Sequence, residues 1–421
     1  MARPRKEVKK SAVIEVNVEP EIKEKIMKTK YIDNNPELGI EYDYKVIMKE
    51  IKKLGLYPKR SKSDVWNPSH LPFDKAKWFV LMSIRSKGKT TNLLIMGLIM
   101  YKLYGTVTQY IVQSEKLLAP KNTKGLYRVV NELGYISKIT EGRWTSIVLK
   151  ARRWYYCNYD DSGKISEMSD EYVCIMSSVD KQEDYKSVLN EPKGDLVIYD
   201  EFIRNYYMPN EFIEFSQLFS TIRRIRQSPI IVMLSNTVNL YSPYFNELEI
   251  ADKVRLMNNG DKELITSSGG TNVYVEIIDP AQSQARIKSD RMFFGFKNPL
   301  LGAITGTATW ALRNFPHIER NENTKVLSRN HYISYQNKLV NLELVQSDVG
   351  LCVYCHWATK TYEDSIIYTL GDIRRPLDRY KIGYTKMDKV IWTCYKQNKF
   401  YYGTNDVGGL IDAYVTELKM N

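Results

Sequence analysis

Trp78-Phe79-Val80-Leu81-Met82-Ser83-Ile84-Arg85-Ser86-Lys87-Gly88-Lys89-Thr90-Thr91 is the stretch on which the reading of this chain turns. Its opening residues form an apolar strand pattern, and a helical pattern runs out of it from Asn92 to Tyr104. Strand, polar loop and helix in that order make an anion cradle, because loop N–H groups and the helix N-terminus face a phosphate. Ser83, Ser86, Lys87, Gly88, Lys89, Thr90 and Thr91 are therefore the expected ATP-binding residues. Lys89 is expected to reach the β- and γ-phosphates, and the Thr90 hydroxyl to ligate Mg²⁺. Ser83 stands where the pattern usually has its first glycine, so the motif departs from its common form.

Asp195-Leu196-Val197-Ile198-Tyr199-Asp200-Glu201 is a second apolar strand pattern, and it ends in two carboxylates. Alone it reads equally well as a strand followed by a solvated acidic turn. Downstream of a phosphate loop it reads as the acidic half of a nucleotide hydrolase. Asp200 would then hold the water shell of Mg²⁺, and Glu201 would polarise the attacking water. A third apolar run, Ile230-Ile231-Val232-Met233-Leu234, ends in Ser235-Asn236-Thr237. The ends of parallel strands line the crevice where ligands sit. Ser235 and Asn236 are expected to sense the γ-phosphate or pass on its loss; a plain exit from strand to turn is the alternative.

The 421 residues suffice for two or three domains, and the 43% hydrophobic content can fill their cores. The formal charge of +12 suggests a polyanionic partner. That charge is uneven: residues 85–153 hold thirteen Lys or Arg against three acidic residues, whereas residues 154–222 hold fourteen acidic residues against five basic. The basic block is a candidate nucleic-acid face, with ordinary solvated helix charge as the alternative. No apolar run approaches a membrane span. The start Met1-Ala2-Arg3-Pro4-Arg5-Lys6 is basic without an apolar signal core, so export is not expected. Five cysteines fit a reducing compartment. Cys352-Val353-Tyr354-Cys355-His356 has the spacing of covalent haem attachment, which requires export. A zinc site would need a second ligand pair. Between Leu351 and Trp357 the segment reads best as an aromatic-rich core strand.

The expected organisation is a basic N-terminal arm (1–40), an ATPase domain (41–250), a linker or small intermediate domain (251–315) and a smaller α/β domain (316–421). In the second of these, strands alternate with helices at Thr106–Val112, Gly125–Leu133 and Pro209–Ile222, which implies a mostly parallel sheet. Ser146–Asn158 and Glu171–Ser178 are expected as an antiparallel addition. Near the end, Tyr332–Tyr335, Val349–Trp357, Ser365–Leu370 and Val390–Tyr395 read as strands, and Ile411–Leu418 as a helix.

Arg85-Ser86-Lys87-Gly88-Lys89-Thr90-Thr91 resembles the deviant phosphate loop of viral genome-packaging ATPases, which place an arginine at this offset. Val197-Ile198-Tyr199-Asp200-Glu201-Phe202 is similar to their second motif. Leu234-Ser235-Asn236-Thr237-Val238-Asn239, followed by Pro243-Tyr244-Phe245, resembles the coupling segment of phi29-like DNA encapsidation proteins. The resemblance spans roughly residues 77–246. It implies a homo-oligomeric ring, usually a pentamer, docked transiently in the host cytoplasm on the portal of a procapsid. It also implies ATP-driven translocation of double-stranded DNA. The C-terminal domain would be nuclease-like, without its cutting site, and would contact the portal or a packaging RNA. Arg85 would stabilise transition-state charge from its own subunit. A second arginine would come from the neighbour, with Arg226 the first choice and Arg224 the second; cations that suit a helix C-terminus are the alternative. Lys116, Lys121 and Lys124, in a stretch bounded by Pro120 and Gly125 and expected as a loop, would point into the ring pore and track DNA phosphates.

Three other functions remain open on the sequence. A terminase-type motor would also cut DNA, a helicase-like replication ATPase would unwind forks without procapsids, and an assembly factor would bind ATP with negligible DNA-stimulated turnover.

Overall fold

Strands β1 (Trp78–Met82), β2 (Thr108–Val112), β3 (Ser146–Lys150), β4 (Arg153–Tyr159), β5 (Ile165–Ser178), β6 (Leu196–Asp200), β7 (Ile230–Ser235), β8 (Lys262–Thr266) and β9 (Asn272–Ile277) build one nine-stranded sheet. Their order is β3-β4-β5-β2-β6-β7-β1-β9-β8. From β5 to β9 each neighbouring pair is parallel, and antiparallel pairs finish both sides. This is a computed structural model, and it describes residues 30–57, 65–83, 87–185, 194–203, 210–236, 242–279, 288, 315–316, 324–348, 350–371, 373–380 and 385–418.

The central strands are apolar without alternation because both faces of the sheet are covered. Phe79, Leu81, Ile198 and Val232 pack on one face. That face meets helices α1 (Tyr44–Lys53) and α2 (Lys89–Tyr104). Val80, Met82, Tyr199 and Met233 pack on the other, against α3 (Glu211–Arg223) and the short helix Pro243–Glu247. α2 buries every residue from Asn92 to Met100, which its nearly all-apolar sequence permits. It stops at Gly105, whose φ of 71° suits the left-handed C-terminal cap.

In this first sheet the structure corrects three expectations of secondary structure and extent drawn from the sequence. Ser146–Asn158 is not one strand: Ala151 and Arg152, with φ of 48° and 64°, turn the chain between β3 and β4. The helix expected at Gly125–Leu133 is only Arg128–Glu132. The first sheet also continues past residue 250, since β9 pairs in parallel with β1 and β8 closes on β9. The front of the stretch expected as a linker is therefore sheet.

A second, mixed sheet follows, made of β10 (Lys325–Ser328), β11 (His331–Tyr335), β12 (Lys338–Ser347), β13 (Gly350–Trp357), β14 (Ile366–Thr369) and β15 (Phe400–Tyr402). Its order is β14-β11-β12-β13-β15, with β10 on β12. Helices α4 (Lys386–Lys396) and α5 (Asn405–Leu418) supply Ile391, Leu410, Ile411 and Tyr414 to its core. α4 corrects the strand expected at Val390–Tyr395. Its β-favouring residues mislead, whereas the capping box of Thr385 and Asp388 starts a helix. Cys352 and Cys355 are buried free thiols on β13. Among the described residues no cluster of His, Cys, Asp or Glu could hold a metal ion, and no helix is long and apolar enough to cross a membrane.

Candidate nucleotide-binding site

β6, β7 and β1 are consecutive, parallel neighbours, so their C-terminal ends lie side by side. Each end carries chemistry: Ser83 after β1, Asp200 and Glu201 at β6, Ser235 and Asn236 at β7. The Ser83 N–H donates to the Ser235 carbonyl at 3.1 Å, which fastens the first end to the third. Gly88 enters α2 with φ of 76°, a conformation that a side chain would strain. It brings Lys89 and Thr90 into the first turn of α2, above those ends.

Lys89 is buried, and its Nζ donates to Ser83 Oγ and, at 3.0 Å, to Asn236 Oδ1. Asn236 Nδ2 donates to Glu201 Oε1 at 3.1 Å. One amide therefore joins the phosphate-loop cation to the second carboxylate, its carbonyl toward the ammonium and its NH₂ toward the carboxylate. Glu201 is left-handed, with φ of 52°, a strained state of the kind that collects at functional sites. Thr90 Oγ1 donates to Asp200 Oδ2 at 3.2 Å, and the Tyr110 hydroxyl donates to the same oxygen at 2.6 Å. The Glu201 N–H donates to Asp200 Oδ1 at 3.1 Å.

Burial pushes the Lys89 ammonium down to about 8, although Asp200 and Glu201 pull the other way. Burial likewise pushes the Asp200 carboxyl above its usual range, against the hydrogen bonds of Tyr110 and Thr90. For both groups burial outweighs the opposite charge nearby.

Of the residues expected from the sequence, Ser83, Lys89, Thr90, Asp200, Glu201 and Asn236 come together. Lys87 and Ser235 are buried nearby, and Thr91 is half-buried on α2. The Lys87 carbonyl accepts the Trp66 N–H at 2.9 Å. Arg85 and Ser86 lie outside the described residues, as does Thr237. For Arg226 the structure corrects the expectation. It is buried, its guanidinium pairs with Asp195 and donates to the Ile222 carbonyl, and Asp195 precedes β6 at the opposite end of the sheet. A guanidinium held this way is a buried strut and not a group extended to a neighbour. Arg224 is exposed. Lys116, Lys121 and Lys124 are exposed beyond the C-terminal end of β2, on the same side as the site. Their segment is helical turns, Glu115–Leu118 and Pro120–Thr123, where a loop was expected.

Sequence reasoning misses Tyr110, because nothing beside it marks it. Only the pairing of β2 with β6, which sets Tyr110 opposite Ile198, brings it to Asp200. It also misses Glu211, which is fully buried on the far face of the sheet. Glu211 Oε1 accepts from Tyr199 at 3.0 Å and Tyr244 at 2.6 Å, and Oε2 accepts from Gln113 at 2.5 Å. The residue before Asp200 is thus tied to the helix that follows the third motif.

Solved structures similar to this chain include the bacteriophage Phi-29 viral genome packaging motor assembly, 17% identical over 85% of this chain and 100% of that one, with a TM-score of 0.49. The Phi-28 gp11 DNA packaging motor is 16% identical over 86% and 99%, with a TM-score of 0.48. The large terminase ATPase domain of Thermus phage P74-26 is 16% identical over 62% of this chain and 97% of that one, with a TM-score of 0.36. No curated protein matches the chain. Residues 62–268, which carry all three strand ends, match the model of the Podovirus DNA encapsidation protein, Gp16. Over that segment, just under half of its length, the chain is similar to the Podovirus DNA encapsidation protein family.

Proposed function

We propose that this protein is the ATP-driven motor that moves double-stranded viral DNA into a procapsid. The observation that carries the proposal is the meeting of Lys89, Thr90, Asp200, Glu201 and Asn236 at the ends of adjacent parallel strands, inside the family segment. The residues present also fit Mg²⁺. Thr90 and Asp200 offer hard oxygen donors 3.2 Å apart, few enough to leave room for phosphate oxygens and water. When bound, the ion would neutralise charge on the β- and γ-phosphates.

The chain's own groups divide the remaining work. The Lys89 ammonium holds the phosphates. Glu201 accepts the proton of the attacking water at its carboxylate. Asn236 links the two, so a phosphate that draws Lys89 away from the amide also alters how Glu201 is held. Through Tyr199, Glu211 and Tyr244 a change at the β6 end is passed to the helix Pro243–Glu247. Arg85 serves the same site in cis, and Arg224 is the arginine offered to a neighbouring subunit. Lys116, Lys121 and Lys124 track the DNA backbone.

The assembly belongs to the same proposal: a homo-oligomeric ring, pentameric in the family pattern, docked in the host cytoplasm on a portal with or without a packaging RNA. The C-terminal sheet is a nuclease-like domain without cutting activity. In support, Asp364, Asp378 and Asp388 are each engaged by local donors: Asn330, Arg375 and Tyr368 respectively. The test is ATP turnover measured with and without procapsids and duplex DNA. The motor reading expects stimulation by the two together. Unwinding of a forked duplex without procapsids would favour a helicase, and metal-dependent cutting of supercoiled plasmid would favour a terminase.

A further inference from the structure

We infer that Tyr110 is a positioning residue for metal-bound nucleotide: its phenol fixes the rotation of the Asp200 carboxylate, one of the two groups that would hold magnesium. The inference rests on the ATPase reading above and deepens it.

Tyr110 lies on β2, in register with Ile198 of β6. Side chains two apart on a strand share a face, so Tyr110, Ile198 and Asp200 all face α2. The Tyr110 ring is packed in the apolar cluster on that face, and only 7% of the residue is exposed. Its hydroxyl emerges from the cluster at Asp200 Oδ2, 2.6 Å away, closer than either the Thr90 hydroxyl or the Glu201 N–H comes to that carboxylate.

A carboxylate turns about its last side-chain bond unless both oxygens are held. Oδ1 is held by the backbone N–H of Glu201 and Oδ2 by Tyr110, from two neighbouring strands. Thr90 completes the set on Oδ2 at the longer distance of 3.2 Å, but Thr90 sits on the helix that must respond to phosphate. Tyr110 sits on a fully buried central strand, which does not. The carboxylate is thus preset before any ligand arrives, by a donor whose own place is fixed by packing. Hydrogen bonds of this kind to ligating carboxylates typically influence metal affinity by 10–100-fold. If Tyr110 were only a core residue whose hydroxyl needed some acceptor, removing that hydroxyl would leave metal dependence unchanged.

The experiment uses the full chain and Tyr110→Phe, which keeps the ring and removes the donor. Binding of a fluorescent ATP analogue is measured in EDTA and across a Mg²⁺ titration, with turnover followed over the same titration. We expect unchanged binding in EDTA. The half-saturating Mg²⁺ concentration should rise roughly tenfold in both assays, and in an Asp200→Asn background Tyr110→Phe should add nothing further. Wild-type Mg²⁺ dependence in folded Tyr110→Phe overturns the inference while leaving the ATPase reading intact. Absence of nucleotide binding by the wild-type chain sinks both. Should Tyr110→Phe fail to fold, 3-fluorotyrosine at position 110 gives a second readout. Its ¹⁹F signal should shift when Mg²⁺ is added to the ADP-bound protein, and an identical signal with and without Mg²⁺ overturns the inference.

Discussion

Asn236 shows how little it takes to connect binding with chemistry: a single amide spans Lys89 and Glu201. Lys89→Ala should abolish turnover and weaken ATP binding, as read by equilibrium titration. Glu201→Gln keeps the shape but cannot take a proton. It should bind ATP normally while turnover falls by about 10²–10⁴-fold, the usual contribution of a positioned base. A rate above about a tenth of wild type would move the base elsewhere. Arg226 makes the opposite case. Its partner Asp195 also accepts from Ser228 at 2.5 Å and Tyr42 at 2.7 Å, which binds the chain before β1 to the base of the sheet. Arg226→Ala leaves a buried carboxylate without its cation and should cost about 3–5 kcal/mol, read by denaturant unfolding. Arg224→Ala, at an exposed position, should leave stability within about 0.5 kcal/mol.

At the scale of elements, the sheet can be probed at its late strands. A fragment ending at residue 250 lacks β9 and leaves one side of β1 bare, whereas one ending at 279 keeps it. The shorter fragment should aggregate and the longer should melt cooperatively; equal behaviour would make β8 and β9 dispensable. The second sheet carries a pH dependence. His331 on β11 faces Asp388 of α4 at 3.4 Å and stacks on Tyr368. Burial lowers the imidazole below its ordinary value near 6.5, outweighing the pull of Asp388. Its contribution is therefore full above that unfolded value and is lost as pH falls through the lower folded one. Burial alone would raise Asp388, but Tyr368, Thr385 and His331 hold it low, so its contribution too is lost on acidification. The melting temperature should fall as pH drops through about 6.5 and below, and His331→Gln should flatten that step. The strands at Trp78, Asp195 and Ile230 are legible in the sequence because they are short apolar runs ending in polar residues with separate chemical roles. β8 and β9 are not, because Lys262, Glu263 and Thr266 dilute one strand and the pairing of the other is decided by β1. Tyr110 and Arg226 are illegible for a related reason: strand register places the one and burial decides the other, and neither is a property of neighbouring residues. The short α4 misleads through Val390, Ile391 and Trp392, whose β preference is overridden by packing of Ile391 and Cys394.

For the whole molecule, the exposed lysines and arginines supply the tests. Lys121→Ala with Lys124→Ala should weaken duplex binding regardless of sequence and flatten the slope of log affinity against log salt by about 0.9 per lost contact. Basal ATP turnover should hardly change. An unaltered slope with normal packaging would take these turns out of the DNA path. Mixing Glu201→Gln subunits with Arg224→Ala subunits should restore some turnover where a sound site meets a sound arginine. No recovery at any ratio, with mixed rings shown to form, would remove Arg224 from that role. The order of strands has one more consequence, felt before any ring exists. β1 leaves the ribosome early, yet both of its neighbours, β7 and β9, lie far downstream. At about 5–20 residues per second of synthesis, Trp78-Phe79-Val80-Leu81-Met82 must wait on the order of ten seconds or more with no partner on either side. The nascent chain thus carries a sticky five-residue apolar segment through about a third of its own translation before the first partner strand is made, and production of intact protein will depend on how well the host's chaperones shield it over that interval.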